Sequence, residues 1–126
     1  MRAVDTNVLV RLMTRDDPKQ VAAAETFIVS GAWVSHLAVA EATGVLTSVY
    51  DRSPAAVASA VEMLLHHEQL TVQDAETVTA AVALFRQHPR VGFSDCLMIE
   101  VARKAGHTPL GTFDRSLGRI DGAQRL

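Results

Sequence analysis

Residues 2–10 of the chain read RAVDTNVLV, and the fold class follows from this stretch. A short apolar segment of strand type ends at Asp5, and a second apolar run with helical character follows it. A mirror-like segment lies near the other end of the chain, where residues 110–113 are closed by Asp114. Both segments are typical of a strand that ends at an acidic corner and leads into a helix.

The same alternation continues along the chain, without repeats, linkers or low-complexity tracts. The pattern predicts strands at about residues 2–5, 32–35, 70–72 and 109–113. It predicts helices with starts near Val8, Pro18, Ser35 or His36, Pro54, Asp74 and Ser94, the last of them ending before Gly106. Short strands joined by helices indicate an α/β fold, with three α/β/α layers around a short parallel central sheet. Such sheets place their sites at the carboxyl ends of the strands.

Length and composition bound the class of protein. A chain of 126 residues is enough for one domain, which we expect to span residues 1–126. Hydrophobic residues make up 48% and charged residues 21%, which argues against disorder. The single cysteine, Cys96, excludes an internal disulfide framework and a multi-cysteine zinc cage, and its apolar context favours a core residue. No window fits a transmembrane helix or a signal peptide, so we expect a soluble, cytoplasmic protein without a membrane partner.

Four carboxylates stand at the edges of apolar segments, where a charge is costly without a purpose: Asp5, Glu41, Asp95 and Asp114. Taken singly, each has an ordinary explanation. Asp5 and Asp95 could cap helices or stabilise a helix dipole. Asp114 could be a turn residue, and Glu41 could lie on a solvated stripe. Together they occur at two strand ends and in two apolar helix contexts of one small domain, which predicts a shared metal site.

Four segments carry a family resemblance: VDTNVL at residues 4–9, VAE at 39–41, SDCLMI at 94–99 and LGTFDR at 110–115. In this order and at this spacing, the chain resembles PIN-domain ribonucleases and is most similar to the VapC toxins of bacterial toxin-antitoxin pairs. The resemblance covers nearly the whole chain, and the acidic positions show no departure from the family pattern.

The resemblance implies a magnesium-dependent RNA endonuclease, with manganese as a possible substitute. It assigns the catalytic and metal-binding roles to Asp5, Glu41, Asp95 and Asp114. Its supporting polar residues would be Thr6, Asn7 and Thr112. It also implies a cognate VapB-like antitoxin that fills the acidic groove, and a homodimer. The apolar helices at residues 21–28 and 57–65 could supply such partner surfaces, and core packing explains their spacing equally well.

Chemical reasoning independently favours a metal site. Hard divalent cations prefer oxygen ligands, and Mg²⁺ takes one or two carboxylates together with several waters. Two negative charges about 4 Å apart repel by roughly 4 kcal/mol at an effective dielectric constant of about 20, so converging carboxylates need a cation or bound protons. A bound ion would lower the pKa of a water that attacks the scissile phosphate, and Asp95 or Asp114 would position that water.

The net charge of −2 does not exclude RNA, because setting aside the four candidate ligands leaves a positive balance. The basic residues that flank the two acidic corners are Arg11, Arg15, Arg115 and Arg119. They are candidates for phosphate contacts, and a solvated surface explains each of them equally well.

Other classes of function remain open. A non-catalytic module of the same fold would hold metal or RNA without cutting. A receiver-like phosphotransfer domain also clusters carboxylates with magnesium, but it needs a lysine at a late strand end, and Lys19 and Lys104 lie outside the strand candidates. A metal-free ribonuclease would use histidines as acid and base, and the five histidines are scattered. The adjacent pair His66 and His67 is interpreted as surface or helix-end residues.

Overall fold

The computed structural model describes residues 1–126 and contains five strands, six α-helices and one 3-10 turn. The strands are β1 (Arg2–Ala3), β2 (Ala32–Val34), β3 (Leu70–Val72), β4 (Leu110–Thr112) and β5 (Ala123–Arg125). The helices are α1 (Thr6–Thr14), α2 (Pro18–Ile28), α3 (His36–Ser48), α4 (Pro54–His66), α5 (Ala75–Gln87) and α6 (Phe93–Ala105). The 3-10 turn spans Leu117–Arg119 and lies between β4 and β5.

Every strand pairing is parallel, and the predicted three-layer α/β/α fold is confirmed. The strands form two short ladders, one with the order β1-β2-β3 and the other with β4 beside β5. In the first ladder Ala3 lies opposite Trp33 and Val34 lies opposite Val72. Residues 113–122 connect β4 to β5, which is a shorter crossover than parallel strands usually have, and the 3-10 turn takes the place of a crossover helix.

The observed elements differ from the predicted ones at their ends. β1 ends at Ala3, before Asp5, and β2 ends at Val34, before Ser35. Both corner residues have extended backbone but use their side chains to start the next helix, so they belong to the helix cap. α6 begins at Phe93, one residue before the predicted start. β5 and the 3-10 turn were not predicted.

Side-chain caps start five of the six α-helices. The capping residues are Asp5, Asp17, Ser35, Ser53 and Asp74, each of which accepts a hydrogen bond from the backbone N–H three residues further on. Such a bond satisfies one of the free N–H groups at a helix start. The exception is α6, because its N-cap, Gly92, has no side chain to donate or accept. Asp95 therefore lies in the first turn of the one helix that has no side-chain cap.

A cluster of 29 buried residues forms the hydrophobic core. α3 contacts α1, α4 and α6, and its buried side chains are Ala38, Val39, Ala42, Thr43 and Leu46. In segments 21–28 and 57–65 most of the apolar side chains are buried, and Phe27 and Leu65 are partly buried against the core, so the helical spacing reflects core packing. No helix has both the length and the apolar character needed to cross a membrane.

The packing of α5 against α6 fixes the helix that carries Asp95. Phe85 and Phe93 meet edge to face, with ring centroids 5.8 Å apart. At the other end of this contact, Lys104 Nζ donates to Asp74 Oδ1 over 2.7 Å. The Lys104 hydrogen bond, followed by that of the Thr77 hydroxyl, lowers the pKa of Asp74 to about 2. Asp74 thus caps α5 and ties it to α6.

We expect Asp74→Asn to lower the free energy of unfolding at neutral pH and to make that free energy less dependent on acid pH. Because the folded-state pKa of about 2 lies below the ordinary 3.8, ionised Asp74 stabilises the fold fully above about pH 4, and this contribution is lost as the pH falls through about 2. Asparagine can still cap a helix and tolerates the positive φ of this position, but it loses the charge facing Lys104. Chemical denaturation at several pH values measures the effect. Asp17→Asn is the matched control, since Asp17 caps α2 without a cationic partner; equal effects in the two variants would contradict a role for Lys104.

Candidate active site

Two of the four candidate carboxylates end a strand region and cap the segment that follows. Asp5 Oδ1 accepts a hydrogen bond from the Val8 N–H over 3.1 Å. Asp114 Oδ1 accepts one from the Leu117 N–H over 2.7 Å. Both side chains are exposed, and each uses a single oxygen for the backbone. The capping explanation and the metal explanation are therefore compatible, because the second oxygen of each carboxylate stays available.

Glu41 is oriented by a residue from the first helix. The Thr6 hydroxyl donates to Glu41 Oε2 over 2.9 Å. Glu41 is exposed although Val39 and Ala42 beside it on α3 are buried, so its carboxylate lies at the surface of a mostly apolar helix. The bond joins the N-terminal end of α1, where Asp5 caps the helix, to α3.

Asp95 is the least satisfied of the four carboxylates. It lies half-buried in the first turn of α6 and its side chain has no capping hydrogen bond. Burial raises its pKa above the ordinary value, and the negative charge of Asp114 raises it further. The second effect shows that these two carboxylates lie within electrostatic reach of each other. A cation between the two carboxylates would instead lower the pKa of Asp95, because a nearby positive charge favours the ionised form.

The supporting residues do not all face the acidic groups. The Thr112 hydroxyl accepts a hydrogen bond from the Asp114 N–H over 3.0 Å and so holds that corner. Asn7 instead lines a cavity of about 330 Å³ between α1 and α2, together with Arg11 and Phe27. Thr6 and Thr112 therefore position acidic side chains, whereas Asn7 borders a neighbouring groove.

The structure brings the four carboxylates together as two pairs. Thr6 links the Asp5 corner to Glu41, and electrostatic repulsion links Asp95 to Asp114. No group of three or more His, Cys, Asp or Glu side chains lies close enough to hold a metal ion, so the four do not form one compact ligand set. A magnesium ion needs only one or two direct carboxylates and completes its shell with water. The oxygen-only donors of either pair fit that requirement.

The arginines beside the acidic corners divide into two groups. Arg11 pairs with Asp16 over 2.9 Å and also donates to the Tyr50 hydroxyl. Arg15 pairs with Glu25 over 3.2 Å. Arg115 and Arg119 form no ion pair. Of these four arginines, Arg115 and Arg119 are therefore the two without a carboxylate partner.

The residues that the alternative functions would need lie elsewhere. Lys104 is on α6 and paired with Asp74, as expected for a residue outside the strands. His66 and His67 end α4, and His67 Nδ1 accepts a hydrogen bond from the Gln69 N–H over 3.1 Å. The interpretation of these two histidines as helix-end residues is confirmed.

Comparison with known proteins agrees with this arrangement. A family model described as PIN domain matches residues 2–123. The chain belongs to the PIN-domain family. No curated protein and no solved structure matches it. PIN domains are in general metal-dependent nucleases, so the resemblance carried by the four sequence segments is confirmed at the level of the family.

We expect Cys96 to be unreactive in the folded protein. The residue is fully buried in α6, and burial, followed by the charges of Asp95 and Glu100, raises the pKa of its thiol to about 12. Because the thiolate is the reactive form, a chromogenic disulfide reagent at neutral pH should leave the native thiol untouched and titrate it once the chain is unfolded in guanidinium. Rapid labelling of the native protein would contradict the packing of α6 described above.

Proposed function

We propose that this PIN-domain protein is an RNA endonuclease that depends on a divalent metal and acts through Asp5, Glu41, Asp95 and Asp114. The observation that carries the proposal is the environment of Asp95. A half-buried carboxylate without a capping partner, close to a second carboxylate, is unfavourable unless a cation joins them. In a fold whose members are generally metal-dependent nucleases, such a pair supports a metal-assisted reaction.

The residues that would hold the metal are the four carboxylates, directly or through water. We propose Mg²⁺ as the ion, with Mn²⁺ as an alternative, because the donors are all oxygens. When bound, such an ion supplies Lewis acidity to the scissile phosphate and lowers the pKa of the attacking water.

The chain itself supplies orientation and a base. The backbone bonds to Asp5 and Asp114 hold one oxygen of each carboxylate in place, so little freedom is lost when the other oxygen binds. Thr6 does the same for Glu41. Asp95 and Asp114, whose charges act on each other, are the carboxylates proposed to position the attacking water and accept its proton.

We also propose that the protein is the VapC-type toxin of a toxin-antitoxin pair. Besides the sequence resemblance, exposed apolar side chains surround the carboxylates. Leu37 lies one turn before Glu41 and Phe113 directly precedes Asp114, with exposures of 68% and 81%. An antitoxin segment with apolar side chains and one basic side chain would cover these residues and neutralise the acidic groove.

A non-catalytic module of the same fold is the alternative that one observation favours. The absence of a compact group of three ligands is compatible with a site that binds metal weakly or not at all. We propose that residues 1–126 form a single domain in either case, supported by the family match and by the continuous core.

We expect metal-dependent cleavage that is lost in two carboxylate variants. The chain, freed of copurifying partner by unfolding and refolding, should cut members of a panel of transfer, ribosomal and messenger RNAs with Mg²⁺ or Mn²⁺ and not with EDTA. Asp5→Asn and Asp95→Asn should each reduce the rate by at least about a hundredfold, because a positioned carboxylate is removed while its shape is kept. Gel analysis of the products measures the rates.

Asp51→Asn is the matched control for this assay. Asp51 is exposed and in no ion pair, and asparagine tolerates its positive φ, so cleavage should stay at the wild-type rate. Metal-dependent binding without turnover across the panel would replace the nuclease proposal with the binding module.

We expect a homodimer that uses the exposed face of α6. Met98 and Val101 lie three residues apart on this helix, and both are exposed. Sedimentation velocity at micromolar concentration should give twice the chain mass of 13.6 kDa, and Val101→Lys should shift the protein to the monomer. Val29→Lys is the control, because Val29 is more exposed but follows α2. A strictly monomeric wild type would rule the dimer out.

A further inference from the structure

A second cleft lies between the loop that joins α5 to α6 and the segment that contains the 3-10 turn. It has a volume of about 260 Å³. Its polar lining residues are Gln87, His88, Arg90, Ser116 and Arg119. The lining thus contains donors of hydrogen bonds from two separate parts of the chain and no carboxylate.

The two arginines of this cleft have no counter-charge. Five basic residues elsewhere in the chain are paired with carboxylates: Arg11, Arg15, Arg86, Arg103 and Lys104. Arg90 and Arg119 belong to none of these pairs, and both are exposed. Guanidinium groups present a planar set of donors that matches the oxygens of a phosphate. Two of them beside a hydroxyl, without a carboxylate, favour an anion as the ligand.

One wall of the cleft is attached to Asp114. Its carboxylate accepts from the Leu117 N–H, and its carbonyl accepts from the Gly118 N–H over 3.0 Å. These bonds anchor the turn that carries Ser116 and Arg119. The turn also packs closely on β5, because a Cβ at Gly118 would lie 2.7 Å from the Cβ of Arg125. The cleft is therefore held at a fixed place relative to the Asp114 carboxylate.

The other wall is attached to Asp95. Arg90 lies in the short loop before α6, and the buried side chains of Val91 and Phe93 fix this loop to the core. Asp95 follows in the first turn of the same helix. Both walls thus lead, within a few residues, to Asp95 and Asp114, whose charges act on each other.

We infer that this cleft binds one backbone phosphate of the RNA strand next to the scissile one, with Arg90 and Arg119 as the charge contacts and the Ser116 hydroxyl as a donor. The identity of the nucleic acid rests on the proposed function. A group of carboxylates repels phosphates, so a strand that enters the acidic site needs positive charge close by. Phosphate contacts set the position of a strand without reading its bases, so the cleft positions the RNA and does not select its sequence.

The test is the salt dependence of RNA binding. A fluorescent single-stranded oligoribonucleotide is titrated with protein in EDTA, which keeps the strand intact, and the affinity is measured by anisotropy at several salt concentrations. The double variant Arg90→Gln/Arg119→Gln should lower the slope of log affinity against log salt by about 0.7, the value for one phosphate contact, which is a loss of about fivefold at 0.1 M salt. Lys19→Gln/Arg52→Gln is the control, since it also removes two positive charges, and neither residue lines the cleft or forms an ion pair.

A reduction of about 1.4 would mean two separate phosphates and would overturn the shared site. An unchanged slope in the double variant, or no RNA binding by the wild type, would overturn the inference altogether. Arg90→Lys/Arg119→Lys should restore most of the slope, which separates loss of charge from loss of folding. The cleavage assay separates the two proposals. If the wild type cuts RNA and the double variant leaves the slope unchanged, the nuclease proposal is supported and the phosphate-binding cleft is rejected. If the wild type never cuts RNA but the double variant shows the reduced slope, the phosphate-binding cleft is supported and the nuclease proposal is rejected.

Discussion

Side-chain caps define where the helices of this fold begin, and the strands between them are short. β1 spans two residues and each of the others spans three, so the ladders contribute few backbone bonds. The free backbone N–H groups at the helix starts need hydrogen-bond acceptors, and side-chain carboxylates or hydroxyls provide one at five helices. Asp5 belongs to that set, and Asp114 does the same for the 3-10 turn. The requirement of folding thus places two carboxylates at strand ends with one oxygen still available.

Start signals and apolar spacing are local properties, and they predicted the order of strands and helices. The predicted ends of β1 and β2 lie one or two residues too late, because a capping residue such as Asp5 has extended backbone and resembles a strand end in sequence. The sequence does not predict β5, because Ala123 is its only apolar residue and its stability comes from backbone pairing with β4. Neither feature has a side-chain pattern that single-sequence reasoning could use.

The same distinction applies to the site. The four carboxylates stood out because each interrupts an apolar context, and that is visible along the chain. Their division into two pairs depends on how α3 packs against α1 and α6, which is a long-range property. The arginines show the limit more sharply. Arg11 and Arg15 are near Asp5 in sequence but are paired with Asp16 and Glu25. Arg90, far along the chain from Asp114, reaches the same cleft as Arg119.

The distribution of charge connects the site with its surroundings. The net charge of −2 hides a local asymmetry, because carboxylates without ion-pair partners lie beside arginines without ion-pair partners. A strand of RNA would be repelled by the carboxylates and attracted by the arginines, so both sets of charges would determine its position. The proposed antitoxin would face the opposite task, since it would have to bring positive charge to the carboxylates and avoid the arginines. The exposed Leu37 and Phe113 would offer it an apolar contact, which is less sensitive to salt than the charge interactions. The proposed substrate and the proposed antitoxin would therefore bind beside the same carboxylates through different forces.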